Sequence, residues 1–168
     1  MPRLVRVVRP SRWYRERAVS LLDQGDVPSD CLGDLSTVDS RLSVFALEDD
    51  GRNLEAIVAA QASTRLKPDD AGYIVFDSAI LGTVGIVLEH SPATGRTPDR
   101  EANSRHHDLV GLSGSGLVRL ARELFLRGEI PRTLLRDDVI RVLREGVAEG
   151  RVDSNRMSKG VRDVVTGN

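Results

Sequence analysis

The 168-residue sequence has a single cysteine, Cys31, so neither an intramolecular disulfide nor a zinc site of the paired-cysteine kind can form. Aromatic residues make up only 4% of the chain, and the core must therefore consist mainly of aliphatic side chains. No apolar run approaches the roughly 20 residues that a membrane-spanning helix needs, and the N-terminus lacks the apolar segment of a signal peptide. These absences predict a protein of a reducing compartment with a cytoplasmic location and no membrane partner.

Lysine is almost absent too, since all but Lys67 and Lys159 of the 24 basic residues are arginine. This bias is typical of a GC-rich bacterial genome, although the planar guanidinium also suits phosphate recognition. Residues 1–20 contain six arginines and one acidic residue, whereas residues 21–60 contain nine acidic residues and two arginines. We expect these two segments to attract each other within the fold. With a net charge of −1, nucleic acid is not the favoured partner.

The apolar patterns predict an α+β fold. Short β-branched or apolar runs indicate about four strands, at residues 4–8, 42–47, 72–76 and 83–88. A helix over residues 12–24 would begin after Ser11 as its N-cap and end before Gly25.

Residues 53–65 fit either a helix or the return strand of a hairpin. We prefer the helix because five side chains share one stripe: Leu54, Ile57, Val58, Gln61 and Ala62. A helix here would make residues 42–47 and 72–76 parallel strands of a β-α-β unit in a small mixed sheet.

The last third of the chain shows helical periodicity in three stretches, which begin near residues 117, 131 and 157. We predict one globular domain over residues 1–168. Its sheet-containing part covers about residues 1–110, and its helical C-terminal segment covers about residues 113–166, packed on the same core.

The densest group of titratable side chains is His106-His107-Asp108, within a polar stretch at 90–108 for which no regular structure is predicted. Imidazoles and a carboxylate could act as general acid–base groups or hold a metal. However, neighbouring residues of an extended segment point to opposite sides, and no recognised metal-binding spacing is present. The alternative is a surface loop whose side chains bond to the backbone, and no metal or cofactor is predicted.

Gly114-Ser115-Gly116 precedes a predicted helix, where backbone amides could bind an anion. The run matches neither a P-loop nor a dinucleotide-binding motif. The alternative is a flexible connector in which Ser113 or Ser115 caps the helix.

Arginines recur at every third position near the N-terminus and could bind a charged partner: Arg3, Arg6, Arg9, Arg12 and Arg15. Pro10 interrupts this spacing, so the alternative is a set of solvated or Asp-paired side chains. The helices after Pro131 could also resemble a helix-turn-helix, but their connection is long and acidic residues dilute the positive charge.

No constellation of residues meets the geometry that catalysis needs, and no protein family is recognisable in the sequence. We therefore expect a non-catalytic interaction or regulatory protein, as a subunit of a bacterial assembly or a homo-oligomer. The alternative is a metal- or histidine-dependent enzyme that acts on phosphate-containing substrates or nucleic acid. It would use the His106-His107-Asp108 group and the glycine run together.

Overall fold

The structure, a computed structural model, describes residues 2–167. One antiparallel sheet of six strands has the order β4-β5-β2-β1-β3-β6. The strands are β1 (Arg3–Val7), β2 (Leu42–Ala46), β3 (Ala71–Asp77), β4 (Val87–His90), β5 (His106–Val110) and β6 (Arg132–Leu134). The helices are α1 (Val19–Asp23), α2 (Ser29–Leu32), α3 (Leu54–Ala62), α4 (Ala79–Val84), α5 (Arg100–Ser104), α6 (Gly114–Arg127), α7 (Arg136–Ala148) and α8 (Lys159–Thr166).

Apolar side chains cover both faces of the sheet, because successive residues of a strand point to opposite faces. Leu4 of β1 packs in one core cluster with α4, α6 and the N-terminal segment. Val5, its neighbour, packs in a second cluster with α3, α7 and α8. The combination of helices and strands is as predicted, with helices on both sides of the sheet.

The helix at 53–65 is confirmed by α3, and β2 and β3 run in the same direction as predicted, but they are not neighbours and the predicted mixed sheet is wrong. β2 and β3 both pair antiparallel with β1, which lies between them. They run in the same direction without touching, and α3 crosses over β1 to connect them. The sheet is therefore antiparallel throughout and not mixed.

The prediction of about four strands is also too low. β5 lies in the stretch 90–108 and just beyond it, where no regular structure was expected and where α5 also forms. β6 has only three residues and falls inside the segment predicted to be helical. Both form because an adjacent strand offers free backbone groups, which is a tertiary effect that local patterns do not carry.

Two element boundaries differ as well. Residues 10–23 form two 3₁₀ turns followed by the short α1, and Ser11 lies inside the first turn instead of capping a helix. The strand predicted at 83–88 begins only at Val87. α4 extends to Val84 and is ended by Gly85, whose φ of +69° is a left-handed conformation that glycine adopts without strain.

Across residues 2–167, no helix combines the length and the apolar character required to cross a lipid bilayer.

Candidate functional site

The two central strands of the sheet separate at one end. β1 pairs with β2 only as far as Val5 and Phe45. Beyond that pair, β1 continues along β3 to Val7, and β2 extends back along β5 to Leu42. The ends of β1 and β2 therefore diverge into two arms of the sheet, and their facing backbone groups need other partners.

The partly buried guanidinium of Arg6 occupies the space between the two arms. Its Nη1 donates to the carbonyl oxygen of Ser43 at 2.8 Å, while Nε and Nη2 donate to the carbonyl oxygen of Asp34 at 3.2 and 2.9 Å. The carboxylate of Asp34 pairs with Arg12 instead. Burial lowers the pKa of the Arg6 guanidinium, and the negative charge of Asp34 opposes this shift. Carbonyl groups thus hold the Arg6 guanidinium in place. It forms no direct ion pair within residues 2–167, although the negative charge of Asp34 acts on it.

A cleft of about 570 Å³ opens where the arms diverge, and we call it the fork cleft. Its floor is the face of the sheet that carries Val7, Ser43 and Phe45. Its walls are the turn before β2, the C-terminal end of α3 and the segment 94–97. A concave site of this size is typical of small-molecule binding.

His106 and Asp108 lie side by side in the lining of this cleft and are only 3% and 4% exposed. Nδ1 of His106 is 2.9 Å from the carbonyl oxygen of Ser91 and 3.0 Å from its hydroxyl. Nε2 faces Oδ1 of Asp108 at 3.9 Å. Arg41 approaches Oδ2 of Asp108 at 3.6 Å, so the carboxylate has a cation nearby.

His107, the third member of the predicted group, does not join this cleft. It lies on the opposite face of β5, where its ring centroid is 4.8 Å from that of His90. Burial lowers the pKa of His107, and its hydrogen bond with the carbonyl of Arg105 opposes this shift. Among the residues that the structure describes, no group of three or more His, Cys, Asp or Glu side chains could hold a metal ion.

The glycine run forms the first turn of α6. The backbone N–H of Gly116 donates to Oγ of Ser113 at 3.1 Å, so Ser113 is the N-cap. Gly114 and Ser115 are exposed. None of these residues belongs to the lining of the fork cleft. The geometry matches the alternative of a capped helix start.

The N-terminal arginines do not share one face. Arg3 pairs with Glu129, and Arg12 pairs with Asp34 at 3.0 Å. Arg9 and Arg15 make no ion pair within residues 2–167, and only Arg6 lines the fork cleft. The Arg12–Asp34 pair does join the basic and acidic segments, as their opposite charges predicted.

Sequence reasoning missed most of the polar lining, including Arg41 and Arg96. Arg96 forms no ion pair with any described residue, and Nε2 of Gln61 is buried without a hydrogen-bond partner. The sequence did offer an indication for Gln61, because it is a polar residue on the stripe of apolar residues predicted for α3. No sequence pattern indicated Arg41 or Arg96, because both lie in connecting segments without the hydrophobic periodicity of a helix or a strand.

Comparison of the chain with known protein families, with curated proteins and with solved structures finds no match, so the geometry of the fork cleft carries the functional argument.

Proposed function

We propose that the chain is a non-catalytic binding protein with a regulatory role, and that the fork cleft takes up a small anionic ligand. The observation that carries this proposal is the partly buried Arg6 guanidinium, which is held by carbonyl oxygens and makes no direct ion pair within residues 2–167. Removing a cation from water is costly, and a bound oxyanion would add its negative charge to that of Asp34.

Two further donors favour an anion. Arg96 lines the cleft without an ion pair in the described part of the chain, and Gln61 presents a buried amide nitrogen without an acceptor. Guanidinium groups bind oxyanions through paired, charge-assisted hydrogen bonds. The acidic residues of the lining are Asp39, which is exposed, and Asp108, which has Arg41 nearby.

The bonding of His106 favours binding over nucleophilic catalysis. A general base that activates a hydroxyl needs a free ring nitrogen next to that hydroxyl. Ser91 has the closest hydroxyl, and it lies at Nδ1. Because Nδ1 is also 2.9 Å from the carbonyl oxygen of Ser91, this nitrogen carries a proton and cannot accept another.

Titration with inorganic phosphate, followed by amide chemical shifts in NMR spectra, tests the proposal. We expect saturable shifts for residues of the fork cleft, and about tenfold weaker binding in Arg96→Ala, because one charge-assisted contact is lost. Arg119→Ala removes an exposed arginine outside the cleft and should bind like the wild type. Shifts scattered over the surface, or equal losses in both variants, would contradict the proposal.

A regulatory binding protein acts through what it contacts, so the proposal includes a partner protein or a second copy of the chain. We expect phosphate to change the molar mass or the stability of that complex. Light scattering of the purified chain with and without phosphate tests the homo-oligomer. An unchanged monomer under both conditions would rule out the second copy and leave a different protein as the partner.

A histidine-dependent enzyme is the second candidate, since His106 and Asp108 do lie together in the fork cleft. It predicts turnover of a phosphate ester such as p-nitrophenyl phosphate. His106→Gln should abolish this turnover, whereas His90→Gln, on the opposite face of the sheet, should retain it. Absence of turnover by a wild-type protein that binds phosphate would favour the binding function.

A further inference from the structure

We infer that the ligand of the fork cleft is a small zwitterion, with an ammonium group beside His106 and Asp108 and an oxyanion beside Arg96. This inference rests on the proposed function, because it names the class of molecule that the anion-binding cleft takes. Its basis is that the lining contains two sets of groups. Hydrogen-bond acceptors with few donors form what we call the acceptor side, and donors with few acceptors form what we call the donor side.

The acceptor side follows from the tautomer of His106. The carbonyl oxygen of Ser91 can only accept a hydrogen bond, so Nδ1 at 2.9 Å carries the proton. In the neutral ring, Nε2 is then an acceptor, and it faces Oδ1 of Asp108 at 3.9 Å. Two acceptors at this distance repel each other. An N–H-bearing cation between them would bond to both at ordinary hydrogen-bond lengths of about 2.9 Å.

From residues 2–167 the carboxylate of Asp108 receives only long contacts. Oγ1 of Thr94 lies 3.4 Å from this carboxylate but 2.9 Å from the carbonyl oxygen of Ser91, which is the nearer acceptor for the single hydroxyl proton. Arg41 stays 3.6 Å away and bonds to Glu89 at 2.9 Å. A carboxylate that is 4% exposed and has so few donors favours a cationic group in its ligand.

The donor side consists of Arg96, Gln61 and Arg6. Arg96 has no carboxylate partner in residues 2–167, and Nε2 of Gln61 is buried without an acceptor. The guanidinium of Arg6 has five N–H groups, and its hydrogen bonds to Ser43 and Asp34 occupy three of its nitrogen atoms once each. Its remaining N–H groups and those of Arg96 suit the oxygens of a carboxylate or a phosphate.

The cleft has room for both groups in one molecule. Its volume of about 570 Å³ lies within the range of small-ligand sites, which is roughly 300–1,000 Å³. Val7 and Phe45 provide apolar contact for a short carbon chain that joins the two charged groups. A single anion would leave the acceptor side unsatisfied, whereas a zwitterion satisfies both sides.

A matched series of probes tests this inference on the wild-type protein. O-phosphoethanolamine carries both charges, ethyl phosphate carries only the anion and ethanolamine carries only the cation. β-Alanine and propionate form the corresponding pair for a carboxylate. We expect O-phosphoethanolamine or β-alanine to bind at least about tenfold more tightly than its amine-free counterpart, because the ammonium adds charge-assisted hydrogen bonds. The pair with the larger gain identifies the oxyanion.

Asp108→Asn should reduce this gain to about twofold or less, whereas ethyl phosphate, which has no ammonium group, should bind at least as tightly as to the wild type because a negative charge is lost from the cleft. If the variant does not fold, the wild-type series alone decides. Ethyl phosphate that binds as tightly as O-phosphoethanolamine, together with propionate that binds as tightly as β-alanine, would overturn the zwitterion and leave the anion function standing. Failure of all the anionic probes, inorganic phosphate included, would overturn both.

Discussion

Asp34 binds three residues of the N-terminal segment through its carboxylate, which no sequence pattern indicated. Its carboxylate accepts hydrogen bonds from Nη1 of Arg12 at 3.0 Å, from Nε1 of Trp13 at 2.9 Å and from the backbone N–H of Arg9 at 2.8 Å. The carboxylate is only 8% exposed. Its carbonyl oxygen also bonds to Arg6, so this residue supports one side of the fork cleft.

Asp34→Ala should lower the free energy of unfolding by about 2–3 kcal/mol, because a buried indole N–H and a guanidinium lose a charged acceptor. Urea unfolding followed by the fluorescence of Trp13 measures this loss. Asp30→Ala removes an exposed carboxylate from the neighbouring α2 and should change the stability by less than about 0.5 kcal/mol. Equal effects of the two substitutions would show that the Asp34 contacts contribute little.

At the scale of elements, the sequence left open whether Ser113 or Ser115 is the N-cap of α6, and the structure distinguishes between them. Oγ of Ser113 accepts a hydrogen bond from the backbone N–H of Gly116, whereas the hydroxyl of Ser115 contacts Oγ of Ser113 at 3.1 Å and caps no backbone group within residues 2–167. Ser113→Ala should therefore cost about 1 kcal/mol of stability in urea unfolding. Ser115→Ala, the matched control, should cost less, and a larger loss there would identify Ser115 as the cap.

The same elements show how far the sequence predicts this fold. The 3.6-residue period located α6 and α7 because each has a broad buried stripe. α3 is buried on nearly all sides, at five positions between Ile57 and Ala62, so the predicted stripe covered only part of its buried surface. β5 and β6 were not predicted, because the formation of short strands depends more on pairing with neighbouring strands than on their own composition. In the site, His106 and Asp108 were found from their residue types. Their separation from His107 follows from strand alternation, but Arg96 and Arg41 reach the cleft only through the tertiary fold.

At the scale of the whole molecule, Cys31 reports whether the larger core opens. It is fully buried in the cluster that joins the sheet to α6, and Sγ donates to the carbonyl oxygen of Pro28 at 2.9 Å. Burial, with a smaller contribution from the charges of Asp30 and Asp34, raises the pKa of this thiol to about 12. The reactive thiolate is therefore scarce in the folded protein near pH 8, and a thiol reagent in solution cannot reach the buried sulfur.

Labelling with a thiol-specific disulfide reagent at pH 8 should accordingly be slow in water. Across a urea titration, its rate should rise together with the loss of helical circular dichroism, because Cys31 is buried in the same core cluster as α6. Cys31→Ala provides the unlabelled blank. Rapid stoichiometric labelling without urea, while the helical signal stays intact, would mean that the N-terminal segment opens independently. That segment would then be a unit of stability separate from α6, although both belong to one core cluster.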